Sequence, residues 1–301
     1  MEGTMPLWIL ATLFAASVQA LRFLLQKKMS SDGLSAAATT FARFVYAPFV
    51  LAPALALWWI FSGSEVPELQ EDFWAYAAAG AVAQILATMC VVALFAHRNF
   101  AVGIAFSKTT VLLTVGTGFL LLGETVEPLA LVAMVVGFAG VVLLSVPLDG
   151  GWRIFNRASA LGLASGAFFS ISAVGYRAAS LAVETDLPIV RAAVTLALVT
   201  ALQTILLASW LAWRDRDGLV QVARRWRLSM LIGLTSMAGS LGWFTAYTLQ
   251  TAAMVNAVGQ IELALSMAIS WLLLGERSTL REIAGILLVG ISVVGLILIG
   301  G

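Results

Sequence analysis

Ten apolar stretches divide this chain, at roughly 5–26, 34–61, 73–96, 100–122, 128–146, 158–182, 187–213, 228–249, 253–274 and 280–299. A helix that crosses a bilayer needs about 20 predominantly apolar residues. The stretches are continuous and lack the ~10-residue alternation that marks barrel strands, so helices are expected. Composition excludes the alternatives. The chain is 61% hydrophobic and 11% charged, where a soluble domain carries about 25% charged residues. A chain of 301 residues still exposes a large area when folded and cannot bury that much apolar surface. A soluble enzyme, a nucleic-acid binder and a disordered chain are therefore ruled out. The expected fold is an all-α membrane bundle of ten transmembrane helices, with the lipid bilayer as its surroundings.

The charges orient the bundle. With ten helices, one side of the membrane holds both termini and every second loop. Its acids are Glu2, Glu65, Glu68, Glu71, Asp72, Glu124, Glu127, Glu184 and Asp186, and it has no Lys or Arg. The opposite loops hold Lys27, Lys28, Arg98, Arg153, Arg157, Arg214, Arg216, Arg224, Arg225, Arg227, Arg277 and Arg281, twelve of the 17 basic residues. The positive-inside rule puts the basic loops in the cytoplasm and both termini outside. A missed helix would scramble this alternation, so the bias supports the count. No basic n-region precedes the first stretch, which reads as a retained helix.

The chain also repeats itself. Leu120-Leu121-Leu122-Gly123-Glu124 recurs as Leu272-Leu273-Leu274-Gly275-Glu276. Each copy ends the fourth helix of a five-helix half, giving repeats at 1–148 and 149–301. Five is odd, so the halves enter the membrane from opposite sides and form an inverted repeat, with a central site expected between them. In the same register, Ser107, Thr110, Thr114 and Gly118 share a face of the fourth helix. Gly259, Glu262, Ser266 and Ser270 share one on the ninth, and Lys108 aligns with Gln260. Small residues on such faces favour close helix packing; the charges of Lys108 and Glu262 point beyond packing.

Two five-helix halves, each ending its fourth helix in Leu-Leu-Gly-Glu, resemble the EamA-type transporters of the drug/metabolite transporter superfamily. The resemblance covers nearly the whole chain. It implies a ten-helix basket with a central cavity, lined by helices one to four and six to nine, with the fifth and tenth outside. It also implies a small-molecule substrate, an exporter of amino acids or other small metabolites, and a bacterial inner-membrane location. The aromatic amino-acid exporter branch is the nearest comparison. The chain departs from many members in having no proline within its fourth and ninth helices.

The deep charges are the sharpest functional candidates. Arg43, Lys108 and Glu262 lie eight to ten residues inside their apolar stretches, roughly, where ionisable groups are costly and face a cavity or a partner. Arg22, Arg177 and Arg191 lie nearer the ends and are expected to snorkel to the interface. Glu262 is expected to pair with Lys108 or Arg43. That pair would be either a strut between the repeats or a site where a zwitterionic substrate competes for both charges. Other cavity candidates are Gln19 on the first helix, Gln84 and Thr88 on the third, Phe169 and Tyr176 on the sixth, Trp243 on the eighth, and Asn256 and Gln260 on the ninth. Gly162 and Gly166 form a close-approach pair, and Pro48 and Pro53 are expected to kink the second helix. Trp8, Trp58, Trp59, Trp74, Trp210 and Trp213 read as interfacial belts.

The reading is a secondary transporter exporting small metabolites, foremost amino acids and within them aromatic ones. The alternative is a proton-coupled multidrug or cation exporter that uses Glu262. Lone Cys90 and lone His97 offer no metal cluster or disulfide, no P-loop occurs, and no cofactor is called for. A net charge of +1 gives no reason to expect a nucleic-acid partner; protein partners leave no trace in the sequence.

Overall fold

A computed structural model describes residues 5–94, 106–145, 157–265 and 279–300. Glu2, His97, Arg98, Arg153, Ser266, Ser270, the second Leu-Leu-Leu-Gly-Glu copy and Arg277 lie outside them. The described chain is helical apart from loops and one isolated antiparallel bridge, Leu69 to Val183. In order the helices are α1 (Leu7–Ser31), α2 (Ala36–Phe44), α3 (Ala47–Ser62), α4 (Phe73–Leu94), α5 (Thr110–Leu122), α6 (Pro128–Ser145), α7 (Arg157–Leu181), α8 (Pro188–Arg214), α9 (Arg216–Arg224), α10 (Trp226–Leu249), α11 (Ala252–Val258) and α12 (Leu280–Gly300).

Among the described residues seven spans, with α2 and α3 taken together, are long and apolar enough to cross a membrane. Three shorter apolar helices occupy the fourth, fifth and ninth expected stretches. Large apolar side chains face outward, as lipid contact requires: Phe61 is 84% exposed, Leu120 80% and Leu298 79%. The chain is a multi-pass membrane protein.

The second stretch is two helices rather than one kinked helix. The break falls at Val45 and Tyr46, ahead of Pro48. Proline has no N–H to give to the carbonyl four residues earlier, and its ring crowds that carbonyl. The helix therefore stops at Phe44 and restarts with Pro48 in its first turn, where no intrahelical donor is needed. Pro53 is carried inside α3.

The fourth and ninth stretches are interrupted without proline. Turns occupy residues 108–109 and 259–260, with helix resuming at Thr110 and at residue 261. Backbone bonds tighten to three-residue spacing there: Thr109 N to Phe106 O, Val111 N to Lys108 O, Glu262 N to Gly259 O and Leu263 N to Gln260 O, at 3.1–3.2 Å. Hydroxyls take up carbonyls nearby. Thr109 Oγ1 donates to Phe106 O, and Thr110 Oγ1 to both Ser107 O and Gly166 O. Such side-chain competition loosens a helix. Gly166 makes room for it, since a Cβ there would lie 2.5 Å from Thr109 Oγ1.

The most extensive helix pairings join one half of the chain to the other: α4 with α7, α6 with α12, and α1 with α10. At the basic end, the polar stretch forms α9, capped by Asp215 Oδ1, which accepts from Gly218 N (2.9 Å). Arg225 pairs there with Asp32 at 2.6 Å. Trp8 belongs to the core, 5% exposed, rather than to an interfacial belt; Trp58, Trp74, Trp210 and Trp213 are exposed at the surface as expected.

Candidate functional site

Both helix interruptions carry a charge. Lys108 sits in the first turn and Glu262 just past the second. Lys108 Nζ lies 3.1 Å from Glu262 Oε2, with side chains 18% and 4% exposed. Gln19 of α1 donates from Nε2 to the same carboxylate oxygen (2.8 Å), and its Oε1 accepts from Trp243 Nε1 of α10 (3.2 Å). Of the two partners open to Glu262, the structure takes Lys108. Gln19 and Lys108 of the first half thus meet a carboxylate of the second, and Trp243 of α10 holds Gln19 in place.

A second polar group lies on α2, α4 and α7. Arg43 Nη1 donates to Thr88 Oγ1 at 2.7 Å. Gln84 takes the orientation with its amide oxygen toward Arg43. It then accepts from Nη1 (3.1 Å) and Nη2 (2.6 Å), and its nitrogen donates to Ser172 Oγ (2.6 Å). The reverse orientation would set donors against donors. Tyr176 OH accepts from Gln203 Nε2 (2.9 Å), and its ring packs on Phe244 with centroids 4.4 Å apart. Gly80 leaves the space that ring fills: a Cβ there would stand 2.8 Å from two of its carbons.

Asn256 of α11 bridges the halves as well. Its Nδ2 donates to Thr114 Oγ1 of α5 (3.0 Å), and its Oδ1 accepts from Tyr247 OH (2.8 Å). Tyr247 in turn stacks with Trp243. Two candidates stand apart. Gln260 points toward the outer pair, where its Oε1 would lie 3.0 Å from a Cβ placed on Gly137 of α6. Phe169 is half-buried on α7, and no hydrogen bond or ring contact ties it to these groups among the described residues.

Arg22 is not at the interface. It is 2% exposed, and its guanidinium lies 4.5 Å over the Phe23 ring. Arg22 is within electrostatic reach of Arg43 and Glu262. Arg177 is turned inward, its side chain 15% exposed: it is ion-paired with Glu124 and donates to the carbonyls of Tyr247 and Gln250. Glu124, beside the left-handed Gly123 (φ 65°), therefore ties α5 to α7 and α10, in keeping with a structural part for the Gly-Glu turn.

Sequence reasoning missed Arg22, Gln26 and Thr39 as buried polar groups. The signal was present: Gln19, Arg22 and Gln26 follow i, i+3, i+7 along one helix face. Chemically, the centre combines hydrogen-bonding amides and hydroxyls with two buried arginines, the partly buried Lys108 and one carboxylate. It suits a small polar solute bearing charge rather than an apolar one.

Buried charges converging from both halves of an all-helical apolar chain define a polytopic membrane protein with a polar centre. The EamA-like transporter family matches residues 6–146 and again 156–298, and the chain belongs to that family, within the drug/metabolite transporter superfamily. The family is one of membrane transporters, not of enzymes. No curated protein matches the chain. Among solved structures, a crystal structure superimposes with a TM-score of 0.67 at 16% sequence identity, over 97% of this chain and 95% of its own. That likeness establishes the fold.

Proposed function

We propose that this chain is a secondary transporter that exports a small metabolite, an amino acid, from the cytoplasm across a bacterial inner membrane by alternating access. The observation that carries the reading is the Lys108–Glu262 pair, 3.1 Å apart and shared between the halves. An amino acid brings one carboxylate and one ammonium. It can exchange with both members of the pair without stranding either charge in low dielectric. The aromatic subclass draws no support from the rings, since Tyr176 stacks on Phe244 and Trp243 on Tyr247. A cation exporter fits less well, because the one carboxylate is already paired with Lys108 and two buried arginines lie nearby, so the centre as a whole repels a cationic substrate.

The architecture proposed is ten spans in two inverted five-helix repeats, 1–148 and 149–301, with both termini periplasmic. The pairings support it. Exchanging the halves turns α1–α10 into α7–α4 and returns α6–α12 to itself, as a two-fold relation demands. The interrupted helices at the centre fit a midplane site.

The test is transport by the purified chain in proteoliposomes, with labelled amino acids, sugars and cationic drugs, with and without a pH gradient. Saturable amino-acid flux is expected. Flux of cationic drugs alone, driven by the pH gradient, would overturn the reading in favour of a proton-coupled exporter.

A further inference from the structure

The charge balance of the centre is uneven. Arg22 lies near both Arg43 and Glu262, and that one carboxylate is already engaged by Lys108 and Gln19. All other acids of the chain lie in loops or at the ends of apolar stretches, and among the described residues none pairs with either arginine. Both are buried, at 2% and 4% exposure, which keeps them from lipid headgroups. Among the described residues, the hydrogen-bond partners of Arg43 are the neutral Thr88 and Gln84.

Unmet polar atoms gather at the same place. Ten buried side-chain nitrogens and oxygens lack a partner among the described residues, and five belong to α1 and α2: Arg22 Nε, both amide atoms of Gln26, Thr39 Oγ1 and Arg43 Nε. They recur at helical spacing, Arg22 and Gln26 one turn apart on α1, Thr39 and Arg43 one turn apart on α2. The two helices touch. Gln19, which holds Glu262, lies one turn from Arg22 on the same face. Buried polar groups without partners cost about 1–3 kcal/mol each and more when charged, and here most of them are donors suited to an anion.

We propose that the face formed by Arg22, Gln26, Thr39 and Arg43 binds an anionic side group of the transported molecule, so that the substrate is an acidic amino acid rather than a neutral one. This rests on the amino-acid reading above. The α-ammonium and α-carboxylate engage Glu262 and Lys108, and the second anion is taken by the two guanidinium groups, whose forked donors fit carboxylate and phosphate alike.

The test is binding and counterflow with the full-length chain in proteoliposomes, using glutamate, O-phosphoserine, glutamine, phenylalanine and succinate. Glutamate is expected to compete at least tenfold better than its neutral isostere glutamine. Arg22→Gln and Arg43→Gln are expected to bring glutamate down to glutamine's affinity. The wild-type ratio stands as a measurement even where a variant fails to fold. O-phosphoserine outcompeting glutamate assigns the face to phosphate within the same anion chemistry. Equal affinity for glutamine and glutamate overturns this inference and leaves the amino-acid reading standing. Binding of succinate with no amino acid bound upholds the anion face and overturns the amino-acid reading.

Discussion

Neutralising the central ion pair separates a strut from a binding site. At 3.1 Å and an effective dielectric near 20, the attraction between Lys108 and Glu262 is about 5 kcal/mol. Desolvating both charges offsets most of that, so the pair itself adds little net stability. Removing one member is different. Glu262→Gln keeps a hydrogen bond available to Gln19 but leaves a Lys108 whose side chain is 18% exposed without its counter-charge. Breaking a buried pair costs about 3–5 kcal/mol; the remaining solvent access of Lys108 puts the expected cost near ~3 kcal/mol. For a chain of this size that corresponds to a melting shift of about 5 °C. The double variant Lys108→Gln/Glu262→Gln strands no charge and should melt within about 2 °C of wild type. The assay is thermal unfolding in detergent together with counterflow in proteoliposomes. If the pair engages substrate, the double variant regains stability and keeps less than a tenth, roughly, of wild-type transport. Full transport by a stable double variant refutes the substrate role and leaves a strut. A Glu262→Gln variant that melts like wild type refutes the magnitude itself.

Three further outcomes test the frame around the site. Gly175→Ala should destabilise the α4–α7 contact by about 1–3 kcal/mol, because its Cβ would stand 3.1 Å from Tyr76 O and 3.2 Å from Gly80 Cα; an unchanged melting curve would count against that close approach. Gly123→Ala meets no atom within 4 Å but must hold φ 65°, so a loss of about 1–2 kcal/mol from backbone strain alone is expected, and a stabilising result in thermal unfolding contradicts it. For orientation, in a Cys90→Ser background, Ser64→Cys should react with an impermeant maleimide on intact cells and Asp217→Cys only after permeabilisation; the reverse pattern overturns the positive-inside assignment.

Charges inside apolar runs are conspicuous, and the duplicated register puts Lys108 and Glu262 within two residues of equivalent positions, opposite Gln260 and Thr110, so the pair that joins the halves is legible in the residues alone. Arg22 shows as part of a polar helix face but is placed too near the membrane edge, and the reason is one of measuring depth. Hydropathy ends the first stretch near residue 26, whereas α1 runs to Ser31. Its last turn is polar and still helical, which carries Arg22 nine residues from the helix end. The short α9 is hidden for a related reason: it rests on partners in α8, α2 and α10, and a nine-residue amphipathic segment announces itself less clearly than a span. Gln260 exposes a deeper limit. The repeat register aligns it with Lys108, and placing it beside the central face assumes an unbroken rotation of about 100° per residue along the ninth helix. The turn at residues 259–260 breaks that rotation, and Gln260 swings toward Gly137 while Glu262 meets Lys108. Periodicity places a residue only as far as the helix stays regular. In this chain the helices are interrupted at the charged pair, so the register that finds the site cannot say which of its neighbours enter it.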